Sequence, residues 1–268
     1  MQLTARATPP GYTRVEQGWF GALLIYTLTP IGVLLIQPGA PAIEFWWDFA
    51  MGLGVCAASG LALLPLLSAR WWAPQHRATG FLRLIQAVHR DLAYVVLALI
   101  LAHVGVLLIL EPRVVEYLKL GAVAPMLAGL VGTLLIALLI TSSRYRDAWQ
   151  WPYRSWRRWH AGLSVVTLGL VGWHLLGAGY YYGAPGGIVA LVWLLALPSL
   201  MSWGLRRWPL RAKAEGVRDT GGAERHRAQR LVRAVALVWI AAAVGFGWSG
   251  ALQAPDEELA LCAVDPCL

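Results

Sequence analysis

Long apolar segments separated by short polar connections dominate the hydrophobic pattern of this chain. Each is about 20 residues long, the length that an α-helix needs to cross the hydrocarbon core of a bilayer. The segments lie near residues 18–36, 45–68, 89–110, 121–141, 159–178, 185–205 and 233–252. No stretch shows the alternation typical of β-strands. The pattern predicts an all-α membrane protein with seven transmembrane helices.

Composition supports the same class of protein. Of the 268 residues, 58% are hydrophobic and 13% are charged, which is far from the balance of a soluble domain. The three cysteines are too few for a disulfide-rich scaffold. The sequence "GAPA" at 39–42 resembles a signal-peptide cleavage site, but the first apolar run is long, so we expect it to remain as a span.

Basic residues are distributed unevenly between the two ends of the predicted spans. Of the 22 Lys and Arg residues, only Arg113 and Lys119 fall in connections on one side, and the others fall on the opposite side. Because cytoplasmic loops are rich in Lys and Arg, the amino terminus is predicted inside and the carboxyl terminus outside the cytoplasmic membrane. The net charge of +8 therefore reflects orientation in the membrane, and no nucleic-acid partner is expected.

Two apolar runs begin and end with histidine. They are "HRDLAYVVLALILAH", with His89 and His103, and "HAGLSVVTLGLVGWH", with His160 and His174. Fourteen helical residues turn through about 1400°, close to four full turns, and rise about 21 Å. Each pair therefore shares a helix face at two depths. Both helices start inside, so His89 should lie level with His160 near the inner face, and His103 with His174 near the outer face.

Ionisable residues inside a membrane are functional candidates, because leaving them unpartnered is costly. Four core histidines bonded to neighbouring backbone groups are the alternative, and the repeated spacing disfavours it. A zinc ion fits poorly, because the two pairs of histidines are about 21 Å apart and cannot bind one ion together. Two imidazoles facing each other across a flat macrocycle fit the axial ligands of a haem iron. Two levels then imply two haems b, with His89 and His160 on the inner iron and His103 and His174 on the outer iron.

Together with "SWRRWHAGLS" at 155–164, the paired histidine motifs resemble the ferric reductase-like transmembrane domain family. This family includes ferric reductases, NADPH oxidases and the haem subunit of the periplasmic methionine sulfoxide reductase system. The resemblance covers residues 18–206 and implies a six-helix bundle with two haems. It also implies one-electron transfer from a reduced flavin in the cytoplasm to an acceptor outside.

The chain departs from the large reductases of that family after the sixth predicted helix. Residues 207–232 form only a basic stretch without a G-x-G-x-x-G fingerprint, so a nicotinamide-binding unit is not expected there. A seventh span at 233–252 and an acidic external tail at 253–268 follow; residues 1–17 precede the first span inside. We therefore expect a flavoprotein or another reductase subunit as donor and an external acceptor or partner protein. A flavin bound at the cytoplasmic side is left open.

Arg90, Arg157 and Arg158 neighbour the inner histidines and are candidates to pair with haem propionates, because guanidinium groups bind carboxylates well. Alternatively, these arginines only contribute to the basic charge that keeps this side of the protein in the cytoplasm. Cys262 and Cys267 could form a disulfide in an oxidising compartment.

The sequence as a whole favours a two-haem b subunit that conducts electrons across a lipid membrane as part of an oxidoreductase system. Two alternatives stay open: a structural or assembly subunit of a larger membrane complex, and a quinone-linked cytochrome b.

Overall fold

Helices form the regular structure of the part of this protein that is described. The computed structural model describes residues 14–36, 43–68, 80–119, 121–179, 181, 187–189, 192–194 and 221–253. The main elements are α1 (Arg14–Ile36), α2 (Phe45–Leu63), α3 (Gly80–Leu110), a 3₁₀ helix (Pro112–Leu118), α4 (Ala124–Tyr145), α5 (Tyr153–Gly177) and α6 (Gly221–Gln253). These ranges contain no β-strand, which confirms the all-α class for them.

Several helices are suited to a membrane, as the hydrophobic pattern predicts. Within the described ranges, five segments are long and apolar enough to cross one: Phe45–Leu63, Arg83–Leu110, Ala124–Tyr145, Tyr153–Gly177 and Arg225–Ser249. The apolar part of α1, Gly21–Ile36, is shorter. Of the sixth predicted span, 185–205, only six residues are described, so the count of seven stays a prediction.

Two helices begin earlier than the apolar segments that predict them. Helix α3 starts at Gly80 and not near residue 89, and α6 starts at Gly221, so residues 221–232 are helical and not a loop. Both extensions contain Arg and Gln, which are good helix formers, and a long Arg side chain can reach water from a helix end. The apolar pattern marks the part of a helix that lies in hydrocarbon and misses its polar extension.

The helices pack as two groups. Helices α2, α3 and α6 pack extensively on one another, with α1 against α2 and α6, while α4 and α5 form a separate pair. Trp239 of α6 is fully buried, and its Nε1–H donates to Thr27 Oγ1 of α1 at 3.1 Å. A Cβ atom on Gly60 of α2 would lie 2.6 Å from the Trp239 ring and 2.7 Å from Val96 of α3. A residue without a side chain is therefore required where α2, α3 and α6 meet.

The end of α5 is fixed by a glycine. The backbone N–H of Ala178 donates to the carbonyl of His174 at 2.9 Å, and Gly179 adopts φ +73°. This left-handed conformation commonly ends a helix and suits glycine, which has no Cβ. The turn brings Tyr181 back into the bundle, where its side chain is buried.

Candidate functional site

The four predicted histidines lie on α3 and α5 and form two pairs. His103 of α3 and His174 of α5 are within electrostatic range of each other, and so are His89 and His160. These are the pairs that helical spacing places at one level, which means that α3 and α5 run in the same direction. All four side chains are partly buried.

In the pair predicted to be the outer one, His103 and His174, each imidazole is held by a carbonyl on the adjacent helix. His103 Nδ1 lies 2.8 Å from the Ala50 carbonyl oxygen of α2, and His174 Nδ1 lies 3.0 Å from that of Pro125 in α4. A carbonyl oxygen can only accept a hydrogen bond, so Nδ1 must carry the proton. In the neutral ring the lone pair is then on Nε2, the form that binds a metal ion.

The inner imidazoles are held in a similar way. His89 Nδ1 lies 2.9 Å from the carbonyl of Leu64, directly after α2, where a helix end leaves carbonyls without an intrahelical partner. His160 Nδ1 lies 3.4 Å from Ser143 Oγ of α4. The Ser143 hydroxyl donates to the Leu139 carbonyl at 2.7 Å, so it is left to accept from His160. Thus α2 and the residue that follows it orient the two histidines of α3, and α4 orients both of α5.

Two glycines make room for the outer imidazoles. A Cβ atom on Gly54 would lie 3.1 Å from His103 Nδ1, and one on Gly129 would lie 2.8 Å from His174 Nδ1. Gly54 follows Ala50 by four residues, and Gly129 follows Pro125 by four. Because Cβ atoms of a helix point toward its amino terminus, a side chain at either position would cover the carbonyl that the imidazole needs.

The three predicted arginines differ in their surroundings. The Arg90 Nε–H donates to Asp91 Oδ1 at 2.9 Å, and the Arg90 side chain is half exposed. Arg158 is exposed. Arg157 lies over the Tyr153 ring, yet its Nε is buried without a hydrogen-bond partner in the described structure.

Trp156 adds a second buried donor beside the inner histidines. Its ring centre is 5.0 Å from that of His160, and its Nε1 has no hydrogen-bond acceptor in the described structure. Arg157 Nε and Trp156 Nε1 are therefore two N–H groups near His160 that an added acceptor could satisfy.

Sequence reasoning missed the groups that orient the histidines. The bracing carbonyls of Ala50, Leu64 and Pro125 leave no residue-specific mark on a sequence, because any residue has a carbonyl. The available signal was the pair of glycines inside apolar helices, Gly54 and Gly129. No three His, Cys, Asp or Glu side chains converge as a metal cluster in the described ranges. Cys262 and Cys267 lie outside the described residues.

Comparison with known proteins identifies the central part of the chain. Neither the curated proteins nor the solved structures gave a match. The family model described as "Ferric reductase like transmembrane component" matches residues 53–171, which include His89, His103 and His160 and end three residues before His174. Such a domain indicates a membrane component of electron transfer. The predicted resemblance is confirmed for these residues: 53–171 of this multi-pass membrane protein match the model of the ferric reductase-like transmembrane family.

Proposed function

We propose that this chain is a membrane subunit that holds two haems b between α3 and α5 and carries electrons from a cytoplasmic donor to an external acceptor. One observation carries the proposal. Four imidazoles lie in two pairs on α3 and α5, and each has Nδ1 hydrogen-bonded to a neighbouring segment, which leaves the Nε2 lone pair available. A bis-histidine haem would take two such ligands.

The residues present fit this cofactor. His89 and His160 would hold the inner haem, and His103 and His174 the outer one. When bound, haem b supplies reversible one-electron oxidation and reduction. Hydrogen bonds at the distal ring nitrogen fix the tautomer and orientation of a ligating imidazole, and here each acceptor is uncharged. Gly54 and Gly129 keep the two outer rings in place without crowding them.

Arg157 and Trp156 would complete the inner site. A haem carries two propionate groups, and their carboxylates accept hydrogen bonds from guanidinium and indole N–H groups. The buried and unsatisfied Arg157 Nε and Trp156 Nε1 lie near His160, at the level of the inner pair. We assign the propionate role to Arg157 first, ahead of Arg90, whose Nε–H is already bonded to Asp91.

The donor and acceptor are proposed as separate proteins. The arginine-rich side is proposed to face the cytoplasm, by the positive-inside rule. On this side Arg225, Arg230 and Arg233 of α6 are exposed and would attract an acidic flavoprotein or another reductase subunit. The acceptor would approach the opposite side. In a bacterial inner membrane this side faces the periplasm.

Haem content tests this proposal directly. We expect pyridine haemochrome analysis of the purified protein to give about two haems b per chain, one for each pair of axial ligands. His103→Leu should lower the content to about one, since it removes one ligand of the outer pair. A protein folded in detergent with no b-type haem would contradict the proposal and favour a structural or assembly role.

A further inference from the structure

A buried hydrogen bond links α2 to the segment after α5, at the end of the bundle that carries His103 and His174. Asp48, in the first turn of α2, is 1% exposed, and Tyr181 is 7% exposed. The Tyr181 hydroxyl donates to Asp48 Oδ1, and the Ile43 N–H donates to Asp48 Oδ2 at 3.2 Å. A buried carboxylate depends on such donors, because burial without them is costly.

Tyr181 belongs to the α4–α5 half of the molecule by sequence but packs in the other half. Helix α5 ends at Gly177, and the left-handed Gly179 turns the chain. Four residues after the helix end, the Tyr181 ring lies edge-on to Phe246 of α6, with ring centres 5.4 Å apart. Its hydroxyl then reaches α2. The residue therefore ties the end of α5 to the group formed by α2, α3 and α6.

Both partners are close along the chain to groups that orient the outer histidines. Asp48 precedes Ala50, whose carbonyl holds His103, by two residues. Tyr181 follows His174 by seven residues. We propose that Asp48 and Tyr181 are a positioning pair that fixes the distance between His103 and His174 and so shapes the outer haem site. This inference rests on the proposed function.

The inner site provides an internal comparison. His89 and His160 are 14 residues from the outer histidines on the same helices, which is about 21 Å. They are held by Leu64 and Ser143, and neither is near Asp48 along the chain. A positioning role predicts an effect on the outer haem alone, whereas general loss of stability would affect both haems.

Tyr181→Phe in two single-haem backgrounds tests the pair in the full-length protein. His89→Leu leaves the outer site, and His103→Leu leaves the inner site. In the outer-only background we expect haem loss to excess apomyoglobin to become about tenfold faster, since a lost hydrogen bond to a buried charged group changes an equilibrium constant by about that factor. The midpoint potential of that haem should also shift. In the inner-only background both quantities should stay unchanged.

Two further variants separate geometry from folding. Asp48→Asn keeps an acceptor for the Tyr181 hydroxyl, so it should retain the outer haem better than Asp48→Leu. Tyr117→Phe, at an exposed tyrosine of the 3₁₀ helix, is the matched control and should behave as the parent.

Equal effects of Tyr181→Phe in both backgrounds, or no effect in the outer-only background, would overturn this inference and leave the proposed function intact. A parent protein without haem would overturn the proposed function first and this inference with it.

Discussion

The two nitrogens of each imidazole have different roles in this bundle. Nδ1 is bonded to a neighbouring helix through Ala50, Leu64, Pro125 or Ser143. Because those groups accept from Nδ1, that nitrogen carries the proton, and a neutral ring has its lone pair on Nε2. A histidine on an apolar face is ambiguous alone; its hydrogen-bond partner decides which nitrogen is available.

Gly129→Ala should weaken the outer haem. The added Cβ would lie 2.8 Å from His174 Nδ1, closer than a carbon atom tolerates, so the imidazole must move away from the Pro125 carbonyl. Loss of a group that orients a metal ligand typically weakens binding by about 10–100-fold. Haem titration of the apoprotein with the His89→Leu substitution measures this affinity. Gly54→Ala should act in the same direction but less strongly, since its contact distance is 3.1 Å.

Gly169→Ala is the matched control for this prediction. It lies in α5, the helix that carries His174, and a Cβ there would meet nothing within 4 Å. Alanine forms helix better than glycine, so stability should not fall. If Gly169→Ala weakened the outer haem as much as Gly129→Ala does, steric displacement of His174 would be the wrong explanation.

The sequence predicted the histidines but not their supports, for a physical reason. A spacing of 14 residues is a property of one helix and can be calculated from helix geometry. The link between Gly129 and His174 spans 45 residues and exists only after α4 and α5 pack. The same holds for Asp48 and Tyr181, which are 133 residues apart.

Helix α6 is an integral part of the bundle, although it lies outside the matched residues 53–171. Trp239 fills the space between α1, α2 and α3, and Cys56 Sγ of α2 lies 3.5 Å from its carbonyl oxygen. The ring adjoins Val96, midway between His89 and His103 along α3. Helix α6 therefore supports the helices that carry and orient both histidines of α3.

Trp239→Ala should destabilise the folded protein strongly. Lipid is as apolar as a protein core, so packing and cavity effects dominate inside a membrane. We expect a loss of about 3 kcal/mol, the lower end of the range for such truncations in soluble cores. Reversible unfolding in mixed detergent micelles measures it. Leu237→Ala, at a side chain that is 67% exposed on the same helix, should cost far less; equal losses would mean that the buried ring has no special role.

Helix ends were the least predictable elements. The hydrophobic pattern located the cores of α3 and α6 but placed their starts near residues 89 and 233, whereas they begin at Gly80 and Gly221. In water a polar helical turn and a polar loop have similar composition. Only contacts with neighbouring helices distinguish them.

At the scale of the whole molecule, the charge asymmetry predicts the orientation in the membrane and, under the proposed function, the side on which electrons enter. If the arginine-rich side faces the cytoplasm, an electron from inside reaches the His89–His160 level first. His103→Leu should then keep reduction by the cytoplasmic donor and lose transfer to an outside acceptor, while His89→Leu should block reduction at the first step. Donor-driven haem reduction in oriented vesicles measures both; the reverse pattern would invert the orientation.

Dependence on a partner is also expected for the whole molecule. NADPH alone should not reduce the haems of the purified protein, because the one G-x-G-x-x-G match, "GFGWSG" at 245–250, lies inside the helix α6 and does not follow a strand as a nucleotide-binding fingerprint must. Addition of a flavin reductase with flavin should reduce them. Haem absorbance after anaerobic mixing reports the result. Rapid reduction by NADPH without a flavoprotein would contradict this expectation.

Because α3 and α6 begin early, the helices on the arginine-rich side project to different heights beyond the inner histidines. Helix α3 begins nine residues before His89, or about 14 Å, and α5 begins seven residues before His160, or about 10 Å. Helix α6 runs parallel to α3, with Trp239 level with Val96, and its start projects about 16 Å beyond the level of His89. Of α3, α5 and α6, α6 therefore projects farthest beyond the level of the inner histidines and α5 least. Under the proposed function, a donor that approaches from this side would meet the start of α6, among these three helices, before it reaches the level of His89 and His160.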